Sequence, residues 1–170
     1  RYYQTIANNR TVEAIVSGKT RALIVMATGT GKTSLAFQIC WKLWSTRWNR
    51  AGRPLRPKIL YLAHLDVLVA DPIRRDFAPF GEAITRVDGR AGTAHDIYFA
   101  LYHAIAHPDR SPALYREWSP DFFDLVIVDE CHTGSAGDDS LWREILVYFK
   151  SAVQLGLTAT PVRAADRDTY

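Results

Sequence analysis

Short runs of consecutive apolar residues alternate along this chain with stretches in which apolar residues recur every three or four positions. "QTIANNRTVEAIVSG" has helical spacing and ends in a glycine where a helix would stop. "RALIVMA" is a short run rich in β-branched residues and predicts a strand, and it leads directly into the glycine-rich "TGTGKTS". A helix is expected through "SLAFQICWKLWSTRW", then a loop at "AGRPLRP", where two prolines and a glycine break any regular pattern. "KILYLA" reads as a second buried strand and "DVLVADPIRRDF" as a helix interrupted near Pro72. "AITRVDG" and "DIYFALY" each fit a strand. "FDLVIVDE" and "AVQLGLTAT" complete the series, with the helical "DSLWREILVYF" between them.

Apolar strands that alternate with amphipathic helices imply right-handed βαβ units. The expected fold class is therefore α/β, with a mainly parallel sheet and helices on both faces. Ligands of such sheets bind beyond the carboxyl ends of the strands. That rule brings three loops together: "TGTGKTS", "DECH" and "TATP".

The first loop ends in the Gly-Lys-Thr of the phosphate-binding pattern GxxxxGK[ST], although Met26 stands where that pattern has its first glycine. The dinucleotide pattern GxGxxG fails as well, since it requires glycine at Ser34. Residues Thr28, Gly29, Thr30, Gly31, Lys32 and Thr33 are expected to cradle a pyrophosphate with their backbone amides at a helix N-terminus. In that pattern Lys32 reaches the β- and γ-phosphates of ATP and the Thr33 hydroxyl ligates Mg²⁺. A chance Gly-Lys-Thr is the plain alternative.

"LVIVDECH" sends two adjacent carboxylates, Asp129 and Glu130, out of the end of a buried strand. Two such charges repel unless a cation lies between them, and Mg-ATP supplies one. An acid at the end of a neighbouring strand holds the Mg²⁺ in P-loop enzymes, which is the role expected of Asp129. Glu130 is then placed to orient and deprotonate the attacking water. Two solvated loop acids would leave the Gly-Lys-Thr without its partner. Thr158 and Thr160, at the end of the last strand, are positioned to sense the γ-phosphate.

Other polar patterns carry less. Cys131 and His132 do not make a zinc site, which needs four ligands in spaced pairs, because Cys40 falls in the middle of a helix. "HAIAH" spaces His103 and His107 like a pair of metal ligands, but Ala104 stands where the glutamate of HExxH would be. Trp41, Trp44 and Trp48 share one helix face, and packing is favoured over stacking on bases.

Composition sets the class. Hydrophobic residues make up 48% and charged residues 23% of 170 positions, ordinary for a globular domain. No apolar run approaches the ~18 residues that cross a bilayer, and no signal peptide opens the chain. Two cysteines make no disulfide framework, so a reducing compartment is expected. The chain begins at Arg1 and has Met26 as its one methionine, which predicts a fragment or a processed chain. The formal net charge is +3, unevenly spread. Between Ala14 and Leu65 there is no acid, while Lys19, Arg21, Lys32, Lys42, Arg47, Arg50, Arg53, Arg56 and Lys58 are all basic. That run is either a solvated face or a surface that meets phosphates.

With these motifs in order, the chain resembles the first RecA-like motor domain of superfamily-two helicases and translocases. "ATGTGKT", "DECH" and "TAT" look like its motifs I, II and III. The resemblance is closer still to the restriction subunits of type I restriction-modification enzymes, through "DFAPF", "IYFALYHAI", "PDFFDLVIVDECHTGSAGDDSLWREILVYF" and "QLGLTATPVR". It implies a single RecA-like P-loop domain over 1–170 that binds ATP and Mg²⁺ and forms half of a double-stranded DNA translocase. "RYYQ" resembles the adenine-reading motif, which makes Gln4 the implied adenine ligand. Coupling of hydrolysis to movement would fall to His132, Thr158 and Thr160.

The implied partners are double-stranded DNA, a second RecA-like domain of the same full-length chain, and the methylation and specificity subunits. No membrane is involved, and the implied location is the cytoplasm of a bacterial or archaeal cell. A superfamily-two repair or remodelling helicase and a nucleotide-binding switch with little turnover are the alternatives.

The chain departs from the family at Thr133, where arginine is usual, and at His64, Leu65 and Asp71 after the second strand. Those departures put the expected nucleic-acid contacts there in question. No acid stands two residues before any lysine, so the D…ExK nuclease of the family is not expected within these residues. Nothing in them resembles the arginine-finger motif of a second RecA-like domain either.

Overall fold

The computed structural model describes residues 2–107, 112–130 and 136–159. Six strands form one sheet: β1 (Arg21–Val25), β2 (Ile59–Ala63), β3 (Ile84–Arg86), β4 (Ile97–Leu101), β5 (Leu125–Asp129) and β6 (Val153–Thr158). Their spatial order is β1-β6-β5-β2-β4-β3 and every pairing is parallel. The expected α/β class with a parallel sheet is what the chain adopts.

Parallel strands need crossover connections, and these clothe both faces. Alternation along the strands divides the core accordingly. Ile59, Tyr61, Leu125, Ile127, Leu155 and Leu157 face one side, packed with Leu35, Ile39 and Leu43 of α2 (Lys32–Ser45). α1 (Tyr2–Val16) and α3 (Val67–Arg74) contribute Ile15 and Val69 to the same layer. Leu60, Leu62, Val126 and Val128 face the other side, with Tyr102 of α4 (Tyr102–Ile105) and Trp142, Ile145 and Phe149 from the segment of α5 (Ala136–Tyr148) and its end. β2 and β5 are buried at every position, as central strands of a parallel sheet must be.

Helix boundaries differ slightly from the sequence pattern. α2 begins at Lys32 rather than Ser34, because Gly31 adopts the left-handed conformation that turns the chain into its first helical residue. α3 carries Pro72 inside it and ends at Arg74, so the helix is not broken at the proline itself. Pro72 lacks the N–H that would bond back four residues, and the helix lasts only two residues more.

The tryptophans pack. Trp44 and Trp48 lie against the α2-side core, and Trp41 and Trp44 both meet the Phe80 ring edge-on at 5.2 Å. The Trp44 indole N–H donates to Asp96 at 2.9 Å, and the Arg56 guanidinium lies 3.4 Å from its ring centroid. Lys42 is engaged too: its ammonium donates to Asn9 at 2.7 Å. Lys58 pairs with Asp96 at 3.2 Å.

Most of the basic run therefore sits where α2 ends and β2 begins. In an all-parallel sheet that is the amino edge of the strands, the end opposite the phosphate loop. Of the nine basic residues, Lys32 alone stands at the carboxyl edge.

Candidate active site

The carboxyl ends of β1, β5 and β6 converge at one edge of the sheet. β6 lies between the other two, with Val25 opposite Thr158 and Asp129 opposite Leu157. The loop after β1 is tied to β6 where it starts, since the Met26 amide donates to the Thr158 carbonyl at 2.9 Å.

Glycine is required twice in this loop. Gly29 has φ +75° and Gly31 φ +96°, both in the region L side chains avoid. Thr30 closes a turn by donating its amide to Ala27 at 3.2 Å. Gly31 is the N-cap of α2 and no side chain caps that end among the described residues. The first amides of α2 therefore have no intrahelical acceptor and the helix dipole favours negative charge there.

α1 braces the loop from the other side. The Gln4 side-chain amide donates to the Thr30 carbonyl at 2.9 Å, and the Tyr3 hydroxyl reaches the same oxygen at 3.4 Å. A Cβ added at Gly31 would fall 2.4 Å from the Gln4 amide nitrogen. Gln4, the implied adenine ligand, is thus in direct contact with the glycine-rich loop.

Lys32 is 7% exposed and its ammonium lies 2.9 Å from the Glu130 carboxylate, with the Met26 carbonyl at 3.3 Å. Glu130 reaches it through an unusual backbone. Strand alternation would turn Glu130 toward the α5 side with Val128, away from α2. Its φ is +52°, a left-handed turn that costs a non-glycine residue on the order of 1–3 kcal/mol. The turn ends β5 and sends the side chain to Lys32.

Asp129 follows the regular alternation and points to the α2 side with Leu125 and Ile127. It is buried, 4% exposed. The Tyr61 hydroxyl donates to its Oδ2 at 2.6 Å, the short length of a charge-assisted bond. Its Oδ1 is buried and meets no hydrogen-bond partner among the described residues. Burial raises the Asp129 pKa above the ordinary carboxylate range; the Tyr61 bond opposes that, the neighbouring Glu130 charge adds to it, and Lys32 and the Glu130 backbone N–H oppose it. The Tyr61 hydroxyl is in turn pushed well up, by burial and then by the Asp129 charge.

A buried carboxylate oxygen without a donor is costly unless a cation takes the place of one. The donor set therefore fits a hard divalent ion, for which oxygen ligands are preferred.

Thr28, Gly29, Thr30, Gly31, Lys32 and Thr33 all lie in this loop and the start of α2, beside Glu130 and Asp129. Thr158 lies at the end of β6 and is buried; alternation turns its side chain toward the α5 side, with Gln154. His132 and Thr160 lie outside the described residues, as do Cys131 and Thr133. No group of three or more His, Cys, Asp and Glu that could hold a metal occurs among the described residues. His64 and Leu65 follow β2 at the same sheet edge, and Leu65 is 51% exposed.

Tyr61 was not legible as a site residue. In "KILYLA" it reads as one more core aromatic. The signal was its parity: alternation and register put it on the Ile127 row, one strand away, with its hydroxyl reaching toward Asp129.

The family model described as "Type III restriction enzyme, res subunit" matches residues 1–163. The chain belongs to this family. It is similar to an Escherichia coli protein described as the type I restriction enzyme EcoAI endonuclease subunit, at 51% identity over 162 residues, 95% of this chain. The match spans 19% of that relative's length. A solved fragment structure from Vibrio vulnificus YJ016, described as an HsdR subunit of a type I restriction enzyme, superposes with TM-score 0.79 and 50% identity. The superposition covers 100% of this chain and 28% of that one.

The helicase domain of Pyrococcus furiosus Hef superposes with TM-score 0.65 at 23% identity, over 95% of this chain and 33% of that one, a likeness of fold. The expected resemblance to restriction R subunits and the helicase-like RecA fold are thus both borne out. No helix of the described residues is long and apolar enough to cross a membrane.

Proposed function

We propose that this ResIII-family chain is the ATP-binding half of a double-stranded DNA translocase, the motor part of a type I restriction R subunit. The observation that carries the reading is the convergence of a glycine-shaped loop, the buried Lys32 and the Asp129–Glu130 pair at one sheet edge.

The loop amides of residues 28–33 hold the phosphates of ATP, and Lys32 exchanges Glu130 for the β- and γ-phosphate oxygens. Gln4 reads the adenine from its place beside the loop. Asp129 and the Thr33 hydroxyl hold Mg²⁺, which when bound neutralises charge on the phosphates. Once Lys32 turns to the phosphates, Glu130 is placed to orient a water and accept its proton. Thr158, whose carbonyl holds the start of the loop, links the nucleotide to the sheet, and His132 and Thr160 complete the coupling set.

Turnover requires more than these residues. A second RecA-like domain of the full-length chain closes the site, and the methylation and specificity subunits of a type I complex bring the DNA. The working location is the bacterial or archaeal cytoplasm.

The test is ATP turnover by the full-length protein with and without double-stranded DNA, beside Lys32→Ala. DNA-stimulated hydrolysis that disappears in the variant is expected. Turnover that is indifferent to DNA, or unaffected by Lys32→Ala, would overturn the reading.

A further inference from the structure

Asp129 has two carboxylate oxygens in two different situations. Oδ2 accepts from Tyr61 at 2.6 Å, while Oδ1 is buried with no hydrogen-bond partner among the described residues. The donor is itself immobile. Tyr61 is fully buried in the middle of β2, stacked on Phe99 at 4.8 Å between ring centroids and met edge-on by Phe77 at 5.9 Å.

A tyrosine hydroxyl oxygen lies on the ring axis, so only rotation about Cα–Cβ displaces it, and a ring packed on both sides at interior density resists that. The hydroxyl is therefore a fixed point in the fold. The carboxylate it holds has its rotation about the Cβ–Cγ bond fixed as well. One oxygen is committed to the core, and the other is left as a preset acceptor at the sheet edge where the phosphate loop lies.

The geometry points to Tyr61 as a positioning residue that commits Oδ2 of Asp129 to the core and so presents Oδ1, alone, to the divalent cation of a bound nucleotide. This rests on the reading of Asp129 as the cation's ligand. It adds that the ligand is one-oxygen by construction, and that its orientation is set from the neighbouring strand rather than from the phosphate loop. Ligating carboxylates held by such an outer hydrogen bond lose about 10-fold or more in metal affinity when the bond is removed.

The experiment uses the full-length protein and its Tyr61→Phe variant, which keeps the ring and deletes one hydroxyl. ADP affinity is measured by calorimetry in Mg²⁺ and in EDTA, with Asp129→Asn and the double variant alongside. Tyr61→Phe should weaken ADP binding in Mg²⁺ by about 10-fold and leave binding in EDTA within about twofold. On the Asp129→Asn background it should add nothing.

Equal losses with and without metal would mean that Tyr61 merely supports the fold, and would overturn the proposal. So would an unchanged affinity in Mg²⁺ where Asp129→Asn is impaired. If Asp129→Asn itself leaves the Mg²⁺ dependence intact, the ligand reading fails first, which is a distinguishable result.

A second measurement needs no folded variant at position 61. The infrared difference spectrum of the wild-type ADP complex on adding Mg²⁺ should show the wide carboxylate splitting of a ligand using one oxygen. A narrow splitting, with both oxygens on the metal, would mean that Oδ2 had left Tyr61, and the proposal would fall.

Discussion

The Lys32 ammonium and the Glu130 carboxylate stand 2.9 Å apart, both largely shielded from solvent, across the end of the intervening strand β6. On the proposed reading, the cation that would meet the phosphates and the carboxylate that would meet the water neutralise each other in this structure. Neither is available until the pair opens. Phosphate oxygens compete for Lys32 on better terms than Glu130 alone, since they add negative charge and accept from the loop amides too. On that reading, binding would release the base at the moment it is needed.

Glu130→Gln separates these roles. Glutamine keeps the size of the side chain but cannot take a proton, and it no longer pairs with Lys32 as an ion. In the full-length protein ATP should bind at least as tightly as in the wild type, because the pair need not be broken. Turnover should fall by ~10²-fold or more. Affinity by calorimetry and single-turnover hydrolysis read the two effects apart, and a weakened ATP affinity with normal turnover would contradict both assignments.

Lys32→Ala should do the reverse to binding. It removes the buried cation that the described residues place at the site and leaves Glu130 and Asp129 facing the incoming phosphates without it. ADP affinity should drop by about 10-fold or more, since bonds to charged groups contribute roughly 1.5–3 kcal/mol. A titration with ADP and Mg²⁺ checks it, and an unchanged dissociation constant would remove Lys32 from the phosphate site.

The sequence disclosed the frame of this site more readily than its linkages. β2 and β5 announce themselves as apolar runs because a central parallel strand is buried on both faces. The loop announces itself because glycine and lysine at that spacing have few other uses. What the sequence could not carry is which side chain touches which. The backbone turn at Glu130 breaks strand parity, and nothing in "VDEC" marks it. Tyr61 is silent because its hydroxyl matters only once β2 and β5 are neighbours in register. The basic run read as a surface for phosphates or for solvent, and the fold resolves part of it into internal partners such as Asn9, Trp44 and Asp96.

The two loop glycines should respond unequally to alanine. Gly29 and Gly31 both have positive φ, so each Gly→Ala change carries a backbone strain of roughly 1–2 kcal/mol. For a chain of this size that is about 2–8 °C in Tm. A Cβ at Gly29 meets nothing within 4 Å, whereas one at Gly31 falls 2.4 Å from the Gln4 amide. Gly31→Ala must therefore also displace Gln4 from Thr30. It should lower Tm further than Gly29→Ala, and on a Gln4→Ala background the difference should shrink. Equal shifts of the two variants in both backgrounds would show that the Gln4 contact contributes nothing to the loop.

Asp129 links the site to stability with a definite sign. Its folded pKa is raised, chiefly by burial, above the value of about 3.9 that it has when unfolded. The folded state thus holds the proton more tightly than the unfolded one. The stability this provides is fully present below the unfolded pKa and is lost as pH rises through the folded pKa. Above the folded pKa the protein carries a buried carboxylate with one oxygen unpartnered among the described residues, which is a cost that asparagine avoids. Asp129→Asn should therefore raise the Tm of the protein without nucleotide at pH values above the folded pKa, with the gain shrinking as pH falls through it. The same variant should lose the Mg²⁺-dependent part of its ADP affinity. Melting curves across pH, with and without Mg-ADP, read both effects. A variant less stable than wild type above the folded pKa would mean that Asp129 contributes more through Tyr61 and Lys32 than its burial costs.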